Sequence, residues 1–332
     1  MPQHFDESLA STMKFPKLSL LLALAVTADM AGAQGYPNKP VRIIVATSAG
    51  GPYDDVARAI GPKLTEIWGQ TIIVDNRPGA ANIIGATVAA KSPPDGYTFF
   101  LANVASQAIN PTLRKKLPYD PQKDFAPVSL MLSSPMVLVV HPSMPVKSVS
   151  DLVKLAASKP GGLNYASAGV GNLQHLAMEL LQTLAKIKMH HIPYKGFAPA
   201  SVDLVAGQVD LMFANVVGVL PQVKSGRVRA IAISSAKGSV LLPAVPAVAA
   251  TYPEFDVTTW MGLLAPAGTP RDIISKVNAD LNRVLQLPEM RERFANQGAE
   301  VLAGSPEQLT EIVRRDTARY GKVIREIGLT AE

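Results

Sequence analysis

Short turns built from glycine and small polar residues recur along this chain, and they are its best candidates for chemistry. Each follows an apolar run that predicts a strand. Glycine lets backbone amides approach a ligand closely, and the unpaired N–H groups at a helix start attract anions. These turns therefore favour a site for a small anion held by amides and neutral side chains. They are residues 48–52, 76–81, 103–106, 167–172 and 194–198.

Neutral hydrogen-bonding side chains occupy these turns, and we predict that they contact the ligand. They are Ser48, Asn76, Asn103, Ser106, Ser167 and Asn172. Two further residues have two interpretations each. His175 follows the fourth turn and either touches the ligand or makes a structural hydrogen bond. Tyr194 either forms a wall of the site or fills the core.

None of the enzyme motifs that we considered is complete in this sequence. Gly169-Val170-Gly171 has Gln174 where a dinucleotide-binding loop needs its third glycine, and no phosphate-binding P-loop or G-x-S-x-G elbow occurs. Ser234 begins an S-x-x-K sequence without its companion motifs. His190 and His191 would point to opposite faces of a strand, so they are poorly placed to share a metal. We predict no catalytic residue, no cofactor and no metal.

Composition narrows the function further. The chain has 332 residues, of which 48% are hydrophobic and 17% charged, as in ordinary globular proteins. The net charge of +6 is spread without a run of five or six basic residues, so a nucleic-acid partner is not expected. Without cysteine, disulfides and thiolate chemistry are excluded.

The amino terminus resembles a secretory signal. Lys14 and Lys17 precede an apolar run at 18–28, and the segment 31–33 has the small-x-small pattern of a cleavage site. We predict that residues 1–33 are a signal peptide, and that translation starts at Met13. A buried N-terminal helix is the alternative.

Cleavage would leave a mature protein beginning near Gln34 or Gly35 in the periplasm. The apolar run is too short for a membrane span, and no later stretch is suitable. We therefore expect a protein that is not embedded in the membrane, and we expect a monomer.

The elements that must position these turns alternate in type. Strand and helix signals alternate from residue 41 to 102 and again from 164 to 234, which predicts two parallel α/β units. Two similar segments, 137–142 and 261–266, each predict a strand that leads through a proline-bounded turn, at Pro145 and at Pro270, into a helix. We predict that the two units are lobes joined by two crossover strands; one large sheet with proline-rich loops is the alternative.

The predicted lobes are residues 36–134 with 258–332, and residues 135–257. C-terminal helices at about 272–285, 288–297 and 306–327 would pack on the first lobe. In open parallel sheets, ligands bind outside the carboxyl ends of the strands, so we place the ligand in the cleft between the lobes.

An ordered set of motifs resembles the Bug (TctC-type) solute receptors of tripartite tricarboxylate transporters, and covers the chain from Tyr36 onward. The motifs are Ala49-Gly50-Gly51-Pro52-Tyr53-Asp54-Asp55-Val56-Ala57-Arg58, Asn76-Arg77-Pro78-Gly79-Ala80, Ser92-Pro93-Pro94-Asp95-Gly96-Tyr97-Thr98, Leu117-Pro118-Tyr119-Asp120, Tyr165-Ala166-Ser167-Ala168-Gly169-Val170-Gly171, Pro193-Tyr194-Lys195-Gly196 and Gly262-Leu263-Leu264-Ala265-Pro266-Ala267-Gly268-Thr269-Pro270.

The resemblance implies a type II periplasmic-binding fold that closes on a small organic carboxylate and delivers it to the membrane subunits of a transporter. It implies that residues 46–54 and 167–172 grip the carboxylate, largely through amides and waters, while Tyr194 and residues 213–215 line the cleft. It thereby adds these residues to the predicted ligand-binding set: Thr47, Ala49, Gly50, Gly51, Tyr53, Asp54, Ala168, Gly169, Gly171 and Asn215.

Two departures from the family pattern concern the ligand. Ala46 and Thr47 stand where such receptors often have proline and an aromatic residue, and Ala214 stands where they often have aspartate. Both changes indicate a roomier or less polar pocket. Two alternatives remain: a sensor that presents the carboxylate to a membrane histidine kinase, and an enzyme on the same fold.

Overall fold

The computed structural model describes Met1 and residues 35–194 and 196–330. Contacts divide the chain into residues 1–38 and residues 39–332. The described residues of the first unit form no helix or strand, and the rest of the predicted signal peptide lies outside the described residues. Within the described ranges, no helix combines the length and the apolar character that a membrane crossing requires.

The second unit begins with a parallel sheet. Strand β1 pairs with β2 on one side and with β3 on the other. Helix α1 begins at a proline, carries two carboxylates in its first turn, where the helix dipole favours them, and ends at Gly69 in the left-handed conformation. A π-helical turn (Ala105–Ile109) and a short helix follow β3. The elements are β1 (Val41–Val45), α1 (Pro52–Trp68), β2 (Ile72–Asn76), α2 (Ile83–Ala90), β3 (Thr98–Asn103) and α3 (Asn110–Leu113).

The longest strand, β4 (Phe125–Val140), belongs to two sheets. Its first part pairs antiparallel with β9 (Thr258–Pro266), which also pairs with β3. Its last part, from Met136 onward, pairs with β7 (Leu211–Asn215) and β8 (Arg229–Ile233). The partner of β4 therefore changes between Pro135 and Met136.

The second sheet has parallel strands of its own. Strand β5 (Asn164–Ser167) lies between β6 (His190–Pro193) and β7, parallel to both. Its helices are α4 (Val149–Ser158), α5 (Leu173–Ala185), α6 (Phe197–Val205) and α7 (Val216–Lys224). The chain then returns through β9 to α8 (Arg271–Leu285), α9 (Pro288–Asn296), the short strand β10 (Glu300–Val301), which pairs with β4, and α10 (Pro306–Glu326).

One buried apolar cluster extends through both sheets. Phe100 and Leu113 contribute from the first sheet side, and Leu138 and Phe213 from the second. Trp260 on β9 is fully buried in the same cluster, and its indole N–H donates to a buried carboxylate of α10 at 2.9 Å. The two sheets therefore share a core where the long strands pass between them.

The predicted α/β fold with two lobes joined through long strands is confirmed. The prediction for the first crossover was wrong in extent, because β4 begins twelve residues before Val137, at Phe125. Pro127 and the serines and proline before Met136 argue against a strand in the sequence. The pairing between β4 and β9 accommodates this segment with register shifts. The lobe boundaries themselves stay a prediction.

Strand register shows how the two sheets meet. Strand β3 ends at Asn103 beside Met261 of β9, which in turn lies beside Leu132 of β4. Strand β7 runs the opposite way and ends at Asn215 beside Met136. Leu132 and Met136 are four residues apart along β4, a distance of about 13 Å. The carboxyl ends of both sets of strands therefore point toward each other across the middle of β4.

Candidate functional site

The turn after β1 is held in shape by side chains that sequence reasoning had assigned to the ligand. The buried carboxylate of Asp54 accepts the Gly50 amide at 2.8 Å and the Arg58 guanidinium at 2.9 Å. Arg58 also donates to Asn76 Oδ1 at 3.2 Å, and Asn76 Nδ2 donates to the Thr47 carbonyl at 3.1 Å. Both ends of the turn are thus tied to one network.

Charge in this network is balanced internally. The hydrogen bond from Arg58 and then the Gly50 amide hold the pKa of Asp54 below its usual range, so the carboxylate stays ionised. Its negative charge is matched by Arg58. Asp54 and Asn76 therefore act on the shape of the turn, and their hydrogen-bonding groups are already used.

Other groups of the same turn are unused. The amides of Ser48 and Ala49, both exposed, make no hydrogen bond with any described residue. Thr47 Oγ1 is shielded from solvent and also lacks a partner within the described ranges. Gly51 precedes α1 without a side-chain cap, so the amides of Tyr53 and Asp54 in the first turn of that helix add to the unpaired donors. These donors suit an anion.

The turn after β3 is also internally satisfied. Asn103 Oδ1 accepts the Ser106 amide at 2.9 Å, and Ser106 Oγ accepts the Asn103 amide at 3.2 Å. Both residues are buried. Asn82 Nδ2 reaches Asn103 Oδ1 at 3.3 Å, and Tyr53 hydrogen-bonds the same side chain, while burial raises the pKa of the Tyr53 phenol. Asn103 therefore joins the second and third turns to the start of α1.

Close packing brings the first two turns together. A Cβ on Gly85, near the start of α2, would lie 2.6 Å from the Cβ of Ala46. No other residue fits there without a shift. Helix α2 therefore lies directly against the end of β1, and the side chain of Ile84 beside it is 48% exposed.

The turn after β5 shows the same principle in the second sheet. Ser167 is fully buried and its hydroxyl donates to the Gly169 carbonyl at 3.0 Å. Gln174 Oε1 accepts the Ala168 amide at 2.9 Å, and Asn172 Oδ1 caps α5 by accepting the His175 amide at 2.9 Å. The Val170 amide, midway through the turn, donates to no described residue, and its side chain is 54% exposed.

His175 itself is directed into the protein. Its side chain is buried, and its Nδ1 accepts the Gly171 amide at 3.0 Å. The structural hydrogen bond that was one of its two sequence interpretations is therefore present. Gly171 has a φ of +76°, and a Cβ there would lie 2.5 Å from Leu113 of α3. Only glycine therefore fits where this turn contacts α3.

The turn after β6 lies beside that one. The Tyr194 amide donates to the Ser167 carbonyl at 3.0 Å, and the Gly196 amide donates to the Ala168 carbonyl at 3.2 Å. The phenol of Tyr194 donates to Asp203 at 2.6 Å, and burial, then this bond, raises its pKa to about 12. The half-buried ring packs on the core of the second sheet.

Asn215 differs from the other predicted asparagines. It is exposed at the end of β7, and its side chain makes no hydrogen bond to cap α7. Val217, which follows in α7, is 41% exposed, and its Cγ2 would lie 3.1 Å from a Cβ on Gly298. Beside Gly298, Gln297 donates to Asp55 of α1 at 2.7 Å. The starts of α1 and α7 thus lie on either side of one turn.

The predicted site residues therefore fall into two groups. The structure places one group, which braces the turns, in internal hydrogen bonds: Asp54, Asn76, Asn103, Ser106, Ser167, Asn172 and His175, with the phenols of Tyr53 and Tyr194. The other group offers exposed or unpaired groups at the strand ends: Thr47, Ser48, Ala49 and Asn215. The five remaining predicted residues belong with the first group, because their amides are hydrogen-bonded within their turns: Gly50, Gly51, Ala168, Gly169 and Gly171.

Sequence reasoning missed three contributors to these turns. Arg58 links Asp54 to Asn76, Gln174 holds the Ala168 amide, and His191 contacts Ser167 Oγ at 2.7 Å. The alternation of side chains along a strand predicted that His191 points to the other face from His190. It did not predict the partner of His191, because Ser167 lies 24 residues earlier in the chain. Only the spacing of Asp54 and Arg58, four residues apart on a helix, was a local signal.

Two cavities are lined by residues outside these turns. One is an open depression of about 560 Å³ between α3 and the loop that leads to β4, lined by Pro111, Leu117, Pro118, Tyr119, Asp120, Pro121 and Asp124. The other, of about 190 Å³, lies between α6 and α7. Over residues 35–194 and 196–330, no three histidine or acidic side chains are grouped to hold a metal ion.

Comparisons with known proteins agree with this architecture. The family model of the tripartite tricarboxylate transporter family receptor (TctC) matches residues 56–329. Protein BugT of Bordetella pertussis is 36% identical over 313 residues, which cover 94% of this chain and 96% of BugT.

Two solved structures are similar over most of their length. R. palustris Rpa4515 with adipate is 34% identical, with a TM-score of 0.77 over 89% of this chain and 99% of that one. MatC from Rhodopseudomonas palustris with bound malate is also 34% identical, with a TM-score of 0.73 over 87% of this chain and 100% of MatC. On the family match and these relatives, the chain belongs to the TctC family of receptors of tripartite tricarboxylate transporters.

Proposed function

We propose that this protein is a periplasmic receptor that binds a small organic carboxylate and delivers it to the membrane subunits of a tripartite tricarboxylate transporter. Family membership supports the transporter partnership, and the relatives with adipate and malate support the class of ligand. The single observation that carries the proposal is the register along β4, which directs the carboxyl ends of both sheets' strands at one another.

The ligand carboxylate lies, in this proposal, between the turns after β1 and β5. Unpaired amides of Ser48, Ala49 and Val170 and the hydroxyl of Thr47 are the donors. Hydrogen bonds from neutral donors to a carboxylate are stronger than those between neutral groups. No bond is made or broken, so the protein is a receptor and not an enzyme.

The body of the ligand meets apolar side chains. Val170 and Val217 are exposed near the ends of β5 and β7, and Ala214, just before Asn215, has an apolar side chain. This supports a pocket that is less polar than that of a receptor for hydroxylated diacids. We therefore expect acids with an apolar chain or ring to bind at least as well as malate.

Ligand screening tests the proposal. A ligand that binds only the folded protein raises its melting temperature with concentration, so the mature protein is heated with each acid of a panel: adipate, malate, benzoate, nicotinate, glutamate and acetate. Stabilisation by at least one acid, confirmed by calorimetry, is expected, with the matching amide or alcohol as control. The absence of stabilisation by every acid, or the turnover of a bound acid, would refute it.

A further inference from the structure

Two histidine rings stack directly behind the turn after β5. His175 of α5 and His191 of β6 have ring centroids 3.9 Å apart and an interplanar angle of 8°. The ring of Tyr165 stacks on His191 at 4.8 Å. His175 is buried and His191 is half-buried, so the pair belongs to the interior and its rings are held in one orientation.

Each ring holds one end of the turn. His191 Nε2 lies 2.7 Å from Ser167 Oγ, at the start. The Ser167 hydroxyl donates to the Gly169 carbonyl and accepts the Gly169 amide, so the arrangement that satisfies every contact makes His191 Nε2 the donor. At the other end, His175 Nδ1 accepts the Gly171 amide, which requires that this nitrogen carries no proton.

The surroundings favour two uncharged rings. Burial lowers the pKa of both histidines to about 4; the neighbouring ring contributes for His175, and the exposed His190 contributes for His191. Among the described residues, the carboxylate of Glu179 contacts the pair, 3.8 Å from His175 Nε2, and it also accepts from Tyr165 and, at 2.7 Å, from Gln182. The Glu179 carboxylate is therefore shared among three residues of two elements, Tyr165 of β5 and His175 and Gln182 of α5.

We propose that His175 and His191 are positioning residues for the ligand: a stacked pair of neutral imidazoles holds both ends of the 167–171 turn and so fixes the Val170 amide that this turn presents to a carboxylate. This rests on the function proposed above. Neither ring touches the ligand. When His175 gains a proton, its Nδ1 no longer accepts, the Gly171 amide is released, and the turn loses the shape that binding needs.

The decisive measurement follows the turn without any ligand. Amide hydrogen exchange and ¹⁵N-resolved NMR report whether the Gly171 amide is hydrogen-bonded. His175→Asn places an uncharged acceptor near the position of Nδ1, and His175→Leu removes the acceptor. At pH 7 we expect slow exchange at Gly171 in the wild type and His175→Asn, and exchange at least tenfold faster in His175→Leu.

The pH profile separates positioning from simple packing. As the pH falls toward 4, the wild-type Gly171 amide should lose its protection while the circular dichroism stays native, and His175→Asn should keep that protection. His190→Gln changes the exposed neighbour and should leave Gly171 as in the wild type. Equal exchange at pH 7 in the Asn and Leu variants, or a His190→Gln effect as large as that of His175→Leu, would overturn the proposal.

Ligand binding provides the second readout, with adipate as the probe. His175→Leu should weaken adipate binding about tenfold, the scale of one misplaced hydrogen bond, and His175→Asn by less than about threefold. If no acid binds the wild type, the proposed function fails while the Gly171 amide still decides the role of the histidines. If adipate binds all variants equally, the positioning role fails and the function stands.

Discussion

Replacing Thr47 by valine tests the proposed site most directly, because the hydroxyl has no other task in the structure. Thr47 Oγ1 is shielded from solvent and has no partner among the described residues, while the main chain of Thr47 is held by Asn76. Valine has nearly the same shape as threonine. The variant therefore removes one donor and leaves the turn in place.

The expected magnitudes differ between the free and the bound protein. A hydrogen bond to a charged group contributes about 1.5–3 kcal/mol net, so Thr47→Val should weaken carboxylate binding by about tenfold to a hundredfold. An unsatisfied buried hydroxyl costs free energy, so the ligand-free variant should be as stable as the wild type or up to about 1 kcal/mol more stable.

Calorimetric titration with adipate and the best acid of the panel measures the first effect, and urea unfolding without ligand measures the second. Thr47→Ser retains the hydroxyl and is the matched control. Unchanged affinity in Thr47→Val would show that this hydroxyl does not meet the ligand. A less stable ligand-free Thr47→Val would show that the hydroxyl has a structural partner, and the argument from an unpaired donor would then be wrong.

Three further predictions concern other parts of the molecule. His175 has a folded-state pKa of about 4 against its ordinary 6.5, so the unfolded chain binds the proton first. Its contribution to stability should be full above pH 6.5 and fall by up to about 3 kcal/mol as the pH drops to 4. His191 has the same folded-state pKa and adds a similar loss, so His175→Asn should remove about half of the total slope in urea unfolding at each pH. Gly85→Ala would place a Cβ 2.6 Å from the Cβ of Ala46; we expect a loss of about 1–3 kcal/mol by overpacking together with weaker adipate binding, and wild-type stability would contradict the packing. Mass spectrometry of the protein from a periplasmic extract should give a mature N-terminus at Gln34 or Gly35, and recovery of the uncleaved chain from the cytoplasm would contradict the predicted signal peptide.

Local patterns predicted most elements closely. Strand β5 was predicted at its observed bounds. Helix α10 was predicted to within one residue at its end, because its serine cap, its first-turn proline and its apolar stripe all lie within or beside the helix in the sequence. Strand β4 was mostly missed. Its proline and serine residues argue against a strand locally, and only its pairing with β9 and β10 overrides that preference.

The strand ends that form the candidate site could be predicted from the sequence, but the hydrogen bonds within their turns could not. Glycine turns after parallel strands indicated where donors collect, and the structure places those strand ends opposite each other. The asparagine, serine and histidine side chains of the same turns looked like ligand contacts, yet most of them brace the turns. Their partners lie far along the chain, as Asn76 does from Thr47 and His191 from Ser167.

The sequence by itself determined the α/β alternation, the glycine turns, the lack of thiol chemistry and the family, because each depends on residue types within a few positions or on an ordered set of motifs. Only the tertiary structure decided which donors stay unpaired. Whether an amide or a hydroxyl is free depends on every group within hydrogen-bonding distance, and residues such as Asp55 and Gln297 become neighbours only when the chain returns from its second sheet.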